Sequence, residues 1–195
     1  MNAYKDFIVS PIGGRYNNTK QVDDKELILN TEIFNHQYVN RLAKVIATPL
    51  LFQSPINVGD EVIVHHNVFR RWHDVKGKER NSRSFLDDDK YLVSEDQIYL
   101  RKNKSWITMP GFSLIKPIES KDKFSFNKER EAIGIIKYSD GSYSINDLIG
   151  FRPGIHCEDF INGERLYRVM NKFITIKYEY QGDEEEYNPS WAQSG

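Results

Sequence analysis

The stretch Ile56-Asn57-Val58-Gly59-Asp60-Glu61-Val62-Ile63-Val64 returns later in the chain as Ile145-Asn146-Asp147-Leu148-Ile149-Gly150-Phe151. In both, polar turn residues lead into a short apolar run, and Asp60 and Asp147 lie 87 residues apart. Gly59 supplies the positive φ that a tight turn needs, and Asp60 can bond back to nearby backbone amides. Val62 and Val64 then share one face of a strand. With the aspartates aligned, Asn146 stands where the first copy has Gly59. Asn tolerates the left-handed region, so the turn is expected to survive.

Three further blocks repeat in the same order. Asp6-Phe7-Ile8-Val9-Ser10-Pro11-Ile12 matches Gly111-Phe112-Ser113-Leu114-Ile115-Lys116-Pro117-Ile118, with the prolines 106 apart. Arg41 to Ala47 matches Arg130 to Ile136 at an offset of 89, and Tyr91 to Leu100 matches Tyr167 to Ile176 at 76. The offset only shrinks. Extra residues therefore sit in the first copy: 17 between the first and second blocks (106 to 89) and 11 between the third and fourth (87 to 76). Around these blocks, short β-branched and aromatic runs alternate with Gly, Pro and Asn-Gly turns, and no long segment carries a helical stripe. The pattern predicts an all-β protein of two similar small β-barrels. The first spans residues 1–103 and the second, shorter one 110–181, with a junction near Lys102 to Pro110 and an acidic flexible tail over 182–195.

Composition narrows the function classes. The chain has 195 residues, 39% hydrophobic and 28% charged, with 13% aromatic residues, which fits a globular chain and not a disordered one. Lys+Arg is 27 against Asp+Glu 28, a net charge of −1, which argues against a general binder of nucleic acid or anionic membrane. No apolar run reaches the roughly 18 residues of a membrane span, and the first residues carry no secretory pattern. Cys157 is the single cysteine, so no intrachain disulfide forms, and a reducing, cytoplasmic setting is expected.

The first copy resembles the co-chaperonin (GroES, chaperonin-10) family. The resemblance rests on Ser10-Pro11 ending an early strand, Arg41-Leu42-Ala43-Lys44-Val45-Ile46-Ala47, Val58-Gly59-Asp60-Glu61-Val62-Ile63-Val64, and Tyr91-Leu92-Val93-Ser94-Glu95-Asp96-Gln97-Ile98-Tyr99-Leu100. It covers roughly residues 5 to 101 and, more faintly, 111 to 180. It implies two tandem GroES-like small β-barrels, a chain similar to the plastid double-domain type or to a phage-encoded relative. The implied function is that of a ring-forming homo-oligomer that caps a chaperonin (GroEL-like) ring and assists protein folding. The family grips its partner with an aliphatic triplet on a long mobile loop, and the matching residues here are Leu27, Ile28 and Leu29. The family's glycines beside the triplet are replaced by Glu26 and by Asn30-Thr31, and the second copy offers only Phe124-Ser125-Phe126 in the corresponding place. Such a chain works by binding, needs no cofactor and is not an enzyme. The alternative is a structural or assembly protein, for example a phage virion component, that reuses the barrels without chaperonin contact.

Other clusters are weighed against plainer readings. His65, His66 and His73 lie near Asp74, but neighbouring residues in a strand face opposite ways and no metal-ligand spacing is present, so no metal site is assigned. His156-Cys157 reads as a polar loop with a partly buried thiol. The run from Phe69 to Arg83 is the most basic stretch and has aromatics interleaved. Arg70, Arg71 and Trp72 are the residues that would hold a single strand. The net charge does not support nucleic-acid binding, and a solvated hairpin or a subunit contact through Phe69 and Trp72 is preferred. No nucleophile elbow, phosphate loop or acid pair stands out.

Overall fold

The computed structural model describes residues 3–16, 19–22, 25–28, 38–122, 124, 126–161 and 163–189, with backbone alone for 19–22, 25–28, 103 and 160. Every regular element is a strand apart from two single 3-10 turns, so the all-β expectation holds for the described residues. In order these are β1 (Phe7–Pro11), β2 (Thr19–Val22), β3 (Lys25–Ile28), β4 (Leu42–Ala47), β5 (Glu61–Val64), β6 (Arg71–His73), β7 (Glu79–Asn81), β8 (Phe85–Asp87) and β9 (Lys90–Val93). The turn η1 (Glu95–Gln97) leads to β10 (Ile98–Asn103), β11 (Ser105–Thr108), β12 (Phe112–Glu119), β13 (Glu129–Ser139), β14 (Leu148–Phe151), β15 (Cys157–Ile161) and β16 (Glu164–Met170). The turn η2 (Asn171–Phe173) and β17 (Ile174–Tyr178) complete the set. Among the described residues no helix is long and apolar enough to cross a membrane.

The chain divides into two compact units, Met1–Ser105 and Trp106–Ser194. One sheet has the strand order β11-β10-β5-β4-β1-β9-β8 and the other β15-β16-β12-β13-β14-β17. Five strands correspond one to one: β10-β5-β4-β1-β9 has the same order as β17-β14-β13-β12-β16. The registers correspond as well. Val9 pairs with Val45 and Tyr91 in the first unit, as Ile115 pairs with Ile136 and Tyr167 in the second. Val64 and Ile63 face Ile98 and Leu100, as Phe151 and Gly150 face Ile174 and Ile176. The offsets of 106, 87 and 76 read from the sequence are reproduced by this pairing. The second offset is corrected, because Val45 corresponds to Ile136, 91 residues on, and not to Gly134. A slip of two along a strand keeps each side chain on its face, so a face-based comparison of sequences does not detect it.

The turn ahead of β5 is likewise built twice. The Val45 amide donates to the Asp60 carbonyl at 2.9 Å and the Gly59 amide to the Val45 carbonyl at 2.8 Å. In the second unit, Ile136 and Asp147 bond at 3.0 Å and Asn146 and Ile136 at 2.8 Å. Gly59 has φ +95° and Asn146 +69°, so asparagine does occupy the left-handed position that glycine holds in the first copy. The cores match residue for residue. Ile115, Ile136, Ile149, Phe151, Tyr167 and Val169 form one buried cluster. Their counterparts Val9, Val45, Val62, Val64, Tyr91 and Val93 are all buried.

Neither sheet closes into a barrel among the described residues. β9 and β10 are consecutive strands at opposite ends of a five-strand run, joined only through Ser94 and η1. A flat run of five strands would separate them by roughly 19 Å, whereas that link spans roughly 12 Å. The sheet must therefore curl for so short a link to join its ends. β16, η2 and β17 repeat the device.

Residues 183–189, assigned by sequence to an acidic flexible tail, line β12 where β16 leaves it. The Glu119 amide donates to the Glu185 carbonyl and the Tyr187 amide to the Pro117 carbonyl, both at 2.8 Å. Asp183 meets Lys121 and Arg130, Lys137 reaches Glu186 at 2.5 Å, and Pro189 is buried. Beneath this strap the Lys116 side chain is buried and donates to the Asn188 Oδ1 at 3.1 Å. Burial pushes its ammonium below the usual lysine range, and the charges of Glu164 and Glu186 oppose that shift.

Gly134 marks the tightest approach in the second unit. A Cβ there would strike the Lys116 carbonyl and the Ile115 side chain. Gly134→Ala is expected to cost about 1–3 kcal/mol of overpacking, read as a lower urea midpoint for the second unit; a loss under about 0.5 kcal/mol would contradict the assigned packing.

Candidate functional site

Because the two units share a frame, what one has and the other lacks is not required to build that frame. The first unit has two such additions. The β2–β3 hairpin lies between β1 and β4, and the β6–β7 hairpin, Arg71 to Asn81, lies between β5 and β9. The latter is 11 residues long, equal to the drop in offset.

Leu27 and Ile28 lie on β3, paired with Lys20 and Thr19 on β2. This pair of strands forms its own two-stranded sheet, separate from the seven-stranded one. Leu29 lies outside the described residues. In the second unit the corresponding loop presents Phe124 and Phe126, both fully exposed at 98% and 105%.

The β6–β7 hairpin pairs Arg71 with Asn81, Trp72 with Arg80 and His73 with Glu79. Its turn is organised by Asp74. The Asp74 Oδ1 accepts the amides of Lys76 and Lys78 at 2.9 and 3.0 Å, and Oδ2 accepts the Arg80 guanidinium at 3.0 Å. The Lys78 amide, helped by that of Lys76 and by Arg80, holds this carboxyl below the usual carboxylate range. Arg71 pairs with Glu79 at 3.1 Å and lies over the Tyr16 ring, whose hydroxyl accepts the Arg71 amide. Arg15 ties the hairpin to the body of the unit. Its guanidinium donates twice to the Phe69 carbonyl and once to Asn81 Oδ1, and lies 5.5 Å from the Tyr91 ring centre.

The sequence groups residues that the structure separates. Phe69, expected at a subunit contact, is fully buried and edge-on to Tyr91 at 4.8 Å, so its side chain belongs to the core. Trp72 is 45% exposed, and its Nε1 donates to the Asn81 carbonyl at 3.2 Å, which fixes the ring at the surface. Arg70, Trp72 and Arg83 instead line a cleft of about 620 Å³ together with Asn67, Ser84 and Gln97. His65 and His66 are not on opposite faces. Both follow β5 in a turn, and their rings stack 4.2 Å apart. Among the described residues no group of three or more His, Cys, Asp or Glu converges as a metal site.

In the second unit Cys157 is exposed, not partly buried. The sequence reading missed an ionic cluster beside it. Arg165 bonds Glu129 at 2.6 Å, Glu158 at 2.5 Å and the Tyr167 hydroxyl at 2.6 Å, and that hydroxyl also donates to Glu129. Burial, together with the Glu129 hydrogen bond, pushes the Tyr167 phenol far above its usual range. The cluster joins β13, β15 and β16; Glu158, Arg165 and Tyr167 are close in sequence, but Glu129 is brought to them from 36 residues away, so no local spacing announces it.

No family model, curated protein or solved structure matches the chain.

The Asp74 turn gives a signed pH test. A carboxyl whose folded pKa is depressed contributes stability that is present above its unfolded value near 3.8 and is lost as pH falls through the lower folded value. The Trp72 indole N–H signal is therefore expected to hold its folded position through pH 3.8 and to move only in more acid solution. Asp74→Ala should disturb that signal at neutral pH. A midpoint at or above 3.8, or an unchanged signal in the variant, would contradict the assigned turn.

Proposed function

We propose that this chain is a non-catalytic binding protein of the co-chaperonin type, built from two GroES-like units, which caps a chaperonin ring through Leu27, Ile28 and Leu29. The observation that carries this reading is the pairing of residues 19–22 with 25–28 as a separate two-stranded sheet, within an insertion that the twin frame lacks. An aliphatic triplet on a segment outside the main sheet can be buried by a partner without dismantling the unit. Burial of each such side chain contributes about 1.5–3 kcal/mol, less the cost of ordering the segment. Copies arranged in a ring multiply a weak single contact by avidity.

The duplicated frame supports this reading because a cap needs rigid units that present a tether, and each unit has its own core. The exposed Phe124 and Phe126 give the second unit an apolar tip of different chemistry. The units then differ in what they offer a partner: aliphatic in the first, aromatic in the second.

Ile28→Asp is expected to lower binding to a GroEL-type chaperonin ring with nucleotide by about tenfold or more per contact, measured by co-sedimentation, while the circular dichroism spectrum stays unchanged. Equal co-sedimentation of the variant and the parent chain would refute the triplet. No co-sedimentation of the parent chain would favour the structural or assembly reading.

A further inference from the structure

The cleft beside β6–β7 is independent of the triplet and has a chemistry of its own. The inserted hairpin supplies Trp72 and Asn81 to it, and the second unit has no counterpart of that hairpin. A frame that stands without the insertion leaves the residues it adds free to serve recognition. The cleft's volume, about 620 Å³, lies within the ordinary range for small-ligand sites.

Its lining combines three kinds of group. Trp72 brings a large indole, held at the surface by its bond to the Asn81 carbonyl. Arg70 and Arg83 bring two cations, and none of the described residues lining the cleft is acidic. Asn67, Ser84 and Gln97 bring amide and hydroxyl groups, whose donors and acceptors suit heterocycle edges and sugar hydroxyls.

A planar ring to stack upon, cations for an anion and short polar groups for edges together specify a nucleotide. We propose that this cleft binds one nucleotide unit of a single-stranded nucleic acid, with the base stacked on Trp72 and the phosphate held by Arg70 and Arg83. The overall charge of −1 does not oppose this, because the site needs only local charge. It limits the affinity and confines binding to short stretches of strand. Charge-assisted contacts from arginine to phosphate provide the anchor, and stacking tolerates any base.

The test is fluorescence anisotropy of a short fluorescein-labelled oligothymidylate with the full chain, over a range of salt concentrations, with unlabelled thymidine monophosphate as competitor. Saturable binding that weakens with salt is expected. Trp72→Ala should weaken it by about 5-fold or more, and Trp72→Phe should restore most of the loss. Arg83→Ala should weaken it and flatten the salt slope by about 0.7. Competition by the mononucleotide at similar concentration would identify free nucleotides as the source of the ligand, and competition only by oligomers would identify the strand. Absence of saturable binding, or binding that Trp72→Ala and Arg83→Ala leave unchanged, would overturn the proposal. Arg83 is exposed, so its variant keeps the test decisive if a Trp72 variant fails to fold.

Discussion

Two backbone hydrogen bonds at one turn fix the register of each unit. In the first they join Val45 to Gly59 and Asp60, and in the second Ile136 to Asn146 and Asp147. A slip of one residue there would turn every side chain of the following strand to the other face. In both copies the residue before the aspartate has positive φ, a conformation that Gly adopts freely and Asn tolerates. From this clamp follow the pairing of β4 with β5 and of β13 with β14, and the burial of Val62 and Val64 and of Ile149 and Phe151.

With the frame set twice, the differences between the copies carry the specific chemistry. The first unit spends its extra residues on two hairpins. The second ties itself together with charge: Arg165 links three strands, and the acidic segment 183–189 settles along Pro117 to Glu119. Proline has no amide to offer a neighbouring strand, yet its carbonyl still accepts the Tyr187 amide. The buried Lys116 lies beneath that strap with Asn188 as its partner.

The repeat could be read from the sequence because it depends on local properties. A turn needs particular residues, and a strand needs particular alternation, so Gly59 and Asn146 and the paired apolar blocks were visible. Other features depend on what packs from elsewhere. Phe69 lies in a basic, polar run and is nonetheless buried, because Tyr91 and the Arg15 guanidinium close over its surroundings. The Asp183 to Glu186 run looks like a solvated end until Lys121, Arg130 and Lys137 are brought beside it by β12 and β13. His65 and His66 continue the apolar run of β5 in sequence, but β5 stops at Val64, so strand alternation does not apply to them. The cleft is half legible: Arg70 and Trp72 stand out in the basic run, whereas Gln97 and Asn67 join them only through the fold.

The central claim is that this chain acts by assembling and docking on a larger ring. Native mass spectrometry of the intact chain, alone and then with a GroEL-type chaperonin and nucleotide, addresses it most directly. The expected result is a closed oligomer at a whole multiple of 22.9 kDa that moves onto the chaperonin when nucleotide is added. A single copy at 22.9 kDa in both samples would contradict it.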